Sequence, residues 1–157
     1  MTPGIAIAPL AEAFVVNASR AQHIDEVIEP ALQDGAIVIC DRFSDATLAY
    51  QGYGRGLELA TLRTLVAFAT RGRVPDLTLL VDIDVELSRA RVGARATASG
   101  AAIDRVERES SAFHERVRDG YLALALAEKR ISVLAGHLSR DALLERAAAV
   151  VIDTLAV

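Results

Sequence analysis

Residues 37–56 read IVICDRFSDATLAYQGYGRG, and the fold turns on how this stretch is read. A short β-branched run, Ile37-Val38-Ile39, leads to Asp41-Arg42 and then to a polar segment holding Tyr50, Gln51, Gly52, Gly54 and Gly56. Such a run reads as a parallel strand buried on both faces, and in an open parallel sheet ligands bind beyond the carboxyl ends of the strands. Asp41 and Arg42 are therefore expected at a sheet rim. A guanidinium grips phosphate through paired N–H groups and stays charged at any working pH. A neighbouring carboxylate can orient it or approach a hydrated magnesium ion. Taken as a bare dipeptide, Asp-Arg fits a structural ion pair better than a catalytic pair.

The elements on either side alternate helix with strand. Residues 12–32 carry Val15, Val16, Ser19, His23, Val27 and Ile28 at helical spacing, with an interruption at Pro30 and a stop at Gly35. Residues 57–71 form a scaffold helix with Leu62, Leu65, Val66 and Ala69 inward, ended by Gly72 and Pro75. Residues 77–83, LTLLVDI, read as a second buried strand, and Asp82 and Asp84 after it as caps of the next helix rather than a metal pair. That helix starts at Val85, and the small residues 96–102 read as a mobile loop. Phe113, Val117, Tyr121 and Leu124 mark a further helix, residues 131–135 a third strand, and residues 140–155 a terminal amphipathic helix. The expected fold is a doubly wound α/β parallel sheet.

Length and composition bound the function. A chain of 157 residues, 52% hydrophobic, is expected to fold as a single domain over 1–157. It has no run of membrane-spanning length and no basic start typical of a signal peptide, so the expectation is a cytoplasmic protein without a membrane partner. The single cysteine, Cys40, is expected to be an inert core thiol, and a net charge of −4 argues against a nucleic-acid partner. His114 reads as a surface histidine, and no metal-ligating residues are assigned. Of the 17 basic residues 16 are arginine, and Lys129 is the only lysine.

The segment DRFSDATLAYQGYGRGL resembles the nucleoside-monophosphate site of the thymidylate kinase family, which carries Asp-Arg-(Tyr/Phe/His), small polar residues, then Ala-Tyr-Gln-Gly. Arg20-Ala21-Gln22 is similar to the family's base-reading helix. Its stacking phenylalanine falls at Val16, a departure from the pattern. The resemblance implies Arg42 on the substrate phosphate with Asp41 orienting it, Arg20 at a base carbonyl, Thr47 at the base edge, Tyr50 at the sugar, and Gln51 in the same substrate site. On pattern alone Tyr50 fits a core aromatic and Arg20 a solvated surface residue. Arg89, Arg91 and Arg95, followed by Asp104-Arg105-Val106-Glu107, resemble a lid over residues 89–105, which would put Arg91, Arg95 and Arg105 among the catalytic groups. Each taken singly also fits a solvated helix end. Ala135 and Gly136 fall where relatives carry Asp-Ala near the adenine of the cofactor.

The resemblance implies transfer of a phosphoryl group from ATP, with Mg2+, to dTMP, giving dTDP for dTTP biosynthesis, in a homodimer. The sequence contains no GxxxxGK[ST], the loop that cradles donor phosphates. The expectation is therefore a P-loop kinase-like sheet lacking its first strand, P-loop and second strand, and a chain inactive by itself. Two other readings stand beside it: a non-catalytic module that binds dTMP or a partner, and a kinase with altered base preference, which Val16 motivates.

Overall fold

The computed structural model describes residues 7–156 apart from 101 and 103. The chain forms two compact units, one running to Pro75 and one starting at Asp76.

The first unit is helical. Helix α1, Pro9–His23, opens on a proline whose fixed φ and missing N–H suit the first turn. It runs into a π-helical segment, Ile24–Ile28, and then α2, Glu29–Gln33, which has Pro30 in its first turn. The interruption expected at Pro30 is thus a widened turn just before it, which accommodates the ring and the missing donor. Two short helical pieces follow: α3, Ser44–Thr47, and a second π-helical segment, Leu48–Gly54. Helix α4, Leu59–Thr70, ends with Arg71 and Gly72 both at positive φ, a left-handed C-terminus that glycine favours. The core of this unit includes Ala13, Ile24, Leu48, Ala49 and Leu62, each at most 4% exposed. Gly52 packs where a Cβ would lie 2.5 Å from the Leu59 side chain, so its role is close approach within a helical segment. Arg73 donates twice to Glu29, at 2.7 and 2.8 Å, and Arg71 pairs with Asp25, joining the end of α4 to the π segment and α2.

Residues 36–40 correct a sequence expectation. They form no strand; Ile37 is 72% and Ile39 95% exposed. A β-branched run has the propensity for a strand, but a ladder needs a neighbour to accept and donate its bonds. Asp41 accordingly does not sit on a strand end but in an exposed bend.

The second unit holds the sheet. Strands β1, Thr78–Asp82, and β2, Ile131–Ala135, pair in parallel, with Leu80 opposite Val133. Between them in the chain lie α5, Val85–Ser99, and α6, Ser111–Ala127, and after them α7, Arg140–Leu155. Each helix starts on a side-chain cap: Asp84 accepts from the Glu86 N–H, Ser110 from Phe113 and Ser139 from Ala142. Phe113, Val117 and Leu124 of α6 and Ile131 and Leu134 of β2 form the buried core of this unit. Asp84 caps as expected, whereas Asp82 pairs with Arg118 at 2.6 and 2.9 Å.

The expected mobile loop at 96–102 is also corrected. Helix α5 continues through Ser99 and stops at Gly100, φ 67°. Alanine is the strongest helix former, and the Thr97 and Ser99 hydroxyls donate back to the Gly93 and Arg95 carbonyls, so small residues without hydrophobic periodicity still prolong the helix. Residues 101 and 103 of that stretch lie outside the described residues.

Candidate functional site

In the first unit a cleft of about 170 Å³ is lined by Val16, Ser19, Arg20, His23, Arg42 and Phe43. Helix α1 supplies its first four side chains from successive turns of one face, at positions three and four apart. Arg42 and Phe43 come from the bend before α3.

Arg20 is the hub of this cleft. Its Nη1 donates to Asn17 Oδ1 at 2.6 Å and to Thr47 Oγ1 at 2.9 Å, and its Nη2 to the Phe43 carbonyl at 2.9 Å. The guanidinium also lies 5.7 Å from the centroid of the Phe43 ring. Arg20 and Thr47, residues singled out on separate motifs, are therefore in direct contact. The surface alternative for Arg20 does not hold.

Arg42 reaches the cleft from a strained backbone. Its φ is 69°, a left-handed conformation that costs a residue with a Cβ ~1–2 kcal/mol. Its guanidinium lies over the Tyr50 ring, 5.2 Å from the centroid. The result is an exposed, charged side chain held on a strained backbone and backed by an aromatic face.

Gln51 is turned away from the cleft. It is 5% exposed, and its Nε2 donates to Glu12 Oε1 at 2.7 Å, a contact that accounts for its burial without a ligand. Arg55 pairs with the same carboxylate, Nη2 to Oε2 at 3.2 Å, with side-chain exposures of 15% for Arg55 and 3% for Glu12. Arg55 is thus a half-buried residue tied to Glu12. Together Glu12, Gln51 and Arg55 pin the π-helical segment that carries Tyr50.

Cys40 is half-buried and its thiol donates to the Arg42 carbonyl at 3.4 Å. Burial pushes its pKa up, against the pull of Arg20 and with a further push from Asp41, so the group stays a thiol near neutral pH. It lies neither in the core nor on a buried strand, contrary to the expectation.

In the second unit the arginines of α5 rest on the protein's own oxygens. Arg91 Nη1 donates to the Gly136 carbonyl at 3.0 Å, which brings together two residues assigned to nucleotide binding by different motifs. Arg89 donates to the Glu109 carbonyl, and Arg95 pairs with Glu107, which also engages the Asp104 backbone. Arg105 is half-buried and Ala135 exposed at the end of β2. Gly136 has a steric reason to be glycine, since a Cβ would stand 2.7 Å from the Asp82 carbonyl oxygen. Among the described residues no group of three His, Cys, Asp or Glu converges to hold a metal.

Sequence reasoning missed Glu12, Asn17, Ser19, His23 and Phe43 as parts of the site or its support. For Asn17 a signal existed: it stands three residues before Arg20, on the same helical face.

A parallel sheet joined through helices places the chain in the α/β class. The chain belongs to the thymidylate kinase family: that family's model covers residues 2–146. It is 58% identical over 124 residues to the thymidylate kinase of Geobacter sp. (strain M21), covering 78% of this chain and 55% of that protein. It is 51% identical over 138 residues to the thymidylate kinase of Dehalococcoides mccartyi, covering 87% and 64%, and 50% identical over 139 residues to that of Geotalea daltonii, covering 87% and 65%. The chain thus spans 55 to 65% of the length of these relatives. The two-stranded parallel sheet with its helices is a partial P-loop kinase-like α/β fold. Among the described residues, no helix is long and apolar enough to cross a membrane.

Proposed function

We propose that this sequence carries the acceptor site of a thymidylate kinase, which phosphorylates dTMP to dTDP with ATP as donor. The observation that carries the reading is the cleft that joins Arg20, hydrogen-bonded to Thr47, with Arg42 stacked on Tyr50. A nucleoside monophosphate has a dianionic end and a flat polar end, and this cleft offers a strained arginine for the first and an arginine-hydroxyl pair for the second. Arg42 would hold the acceptor phosphate, Tyr50 would support Arg42 and border the sugar, and Arg20 with Thr47 would face the base edge. Asp41, beside Arg42, would orient it from the exposed bend. Because the acceptor is already an ionised phosphate, no strong general base is required of these residues; holding and charge stabilisation suffice.

Arg91, Arg95 and Arg105 would supply positive charge to the transferring group, and Ala135 and Gly136 would border the donor's base. Phosphate oxygens would have to replace the oxygens that now accept from Arg91 and Arg95. Neither a metal cluster among the described residues nor a GxxxxGK[ST] loop within the sequence is present to hold Mg-ATP, so no step is assigned through it. The family match runs through both units, which supports reading 1–157 as parts of one kinase domain. A cytoplasmic homodimer acting on free nucleotide, not nucleic acid, fits this reading.

The test is to incubate the chain with ATP, Mg2+ and dTMP and to separate the nucleotides. Formation of dTDP establishes the enzyme. Saturable dTMP binding with no dTDP, the result expected of the 157 residues alone, leaves the acceptor-site reading intact and favours a binding module. Absence of both overturns the proposal.

A further inference from the structure

The middle of α1 buries an amide that composition does not explain. Asn17 is 2% exposed on a helix whose buried face otherwise includes Ala13 and Ile24. A buried carboxamide costs free energy unless both of its ends are bonded. Here both are. Asn17 Nδ2 donates to the Ala13 carbonyl at 2.8 Å, which fixes the amide's orientation and turns Oδ1 toward Arg20. That oxygen accepts from Arg20 Nη1 at 2.6 Å, the same nitrogen that reaches Thr47 Oγ1.

We infer that Asn17 is a positioning residue that sets Arg20 for discrimination between bases; this rests on the acceptor-site reading above. The cleft beside Arg20 is walled by the aliphatic Val16 and the Phe43 ring, and packing against such walls does not tell thymine from cytosine, two pyrimidine rings of the same size. Discrimination then falls on hydrogen bonds in the plane of the base, and these depend on where a rigid guanidinium fork points. Held by Asn17, Thr47 and the Phe43 carbonyl, the fork has one orientation. Its N–H groups complement the 4-carbonyl of thymine and oppose the 4-amino group of cytosine, which is itself a donor. Without the Asn17 oxygen, the fork can swing and the two bases become alike to it.

Calorimetric titration of the whole chain with dTMP, dCMP and deoxyribose 5-phosphate tests this, alongside thermal melts. Wild type is expected to prefer dTMP over dCMP. Asn17→Leu, close in volume but without the acceptor, is expected to lower that preference about tenfold or more while deoxyribose 5-phosphate binding stays unchanged. Asn17→Asp keeps the acceptor and loses the donor to Ala13, so it is expected to keep the preference even with a lower Tm. If Asn17→Leu fails to fold, Asn17→Ala, which only removes atoms, carries the same comparison. A preserved preference in the acceptor-less variant, or an equal loss for all three ligands, overturns the inference while leaving the acceptor site standing. Wild type that binds none of the three overturns the acceptor-site reading and this inference with it.

Discussion

At Arg42 the backbone and the side chain pull in opposite directions. The left-handed φ of 69° is unfavourable for any residue with a Cβ, while the guanidinium is what a phosphate needs. Glycine at this position should therefore stabilise the fold by up to ~1 kcal/mol in urea unfolding, offset in part by the lost contact with Tyr50, and should lower dTMP affinity about tenfold or more. A fall of stability in Arg42→Gly would mean that the arginine is structural. Arg20, Thr47 and Arg42 could be picked out in the sequence because they stand in motifs, and the fold places Arg20 against Thr47 and lines one cleft with Arg20 and Arg42. Glu12 could not, and Asn17 had only its place three residues before Arg20 to mark it. Sequence shows a polar residue in a helix as a candidate for the wet face, and only the fold reveals that both are 2% exposed with their polar atoms satisfied from residues up to 43 positions away. For the same reason Val15, counted on the apolar face, is 53% exposed.

Among elements, the π-helical segment Leu48–Gly54 depends on one carboxylate. Glu12→Ala leaves Arg55 and Gln51 without it inside the unit and is expected to cost ~3 kcal/mol or more, read as a lower urea midpoint; Glu12→Gln should cost less. The expected strand at 37–39 shows a different limit. Its β propensity is plain in the sequence, but Ile39 at 95% exposure makes no core contact here, so Ile39→Lys should change stability by less than ~0.5 kcal/mol. Leu124→Ala in α6, by contrast, should cost ~2–5 kcal/mol, because Leu124 is 1% exposed. The paired strands β1 and β2 and helix α7 were legible to within a residue or so, because periodicity, turn residues and caps agree there. Helix α5 was cut short in the reading because its last turn is built on alanine propensity and not on a hydrophobic stripe. The Asp82–Arg118 pair adds a pH dependence: the hydrogen bond from Arg118 holds the Asp82 carboxyl below its ordinary 3.8. The unfolded chain then binds the proton more readily, so this contribution is complete above the ordinary aspartate range and fades as pH falls below it. Between neutral pH and pH 3, Asp82→Asn should flatten the acid side of the stability curve; an unchanged slope would show that the pair contributes nothing.

Across the whole molecule, a net charge of −4 coexists with an arginine-lined cleft, so attraction for a dianionic nucleotide must arise locally from Arg20 and Arg42. The acceptor groups all lie in the unit ending at Pro75, and Arg91, Arg95, Arg105, Ala135 and Gly136 in the unit starting at Asp76. The account therefore predicts that acceptor binding survives substitutions of Arg91 and Arg95 that would impair transfer. Its central claim is that residues of the first unit form a site for a thymidine monophosphate. The most direct measurement is a calorimetric titration of the chain with dTMP and, in parallel, with thymidine, for wild type and Arg42→Ala. The account predicts saturable binding of dTMP, weaker binding of thymidine, and a drop of about tenfold or more in dTMP affinity in Arg42→Ala with little change for thymidine. No binding of dTMP by wild type, or equal affinities for dTMP and thymidine, would contradict it.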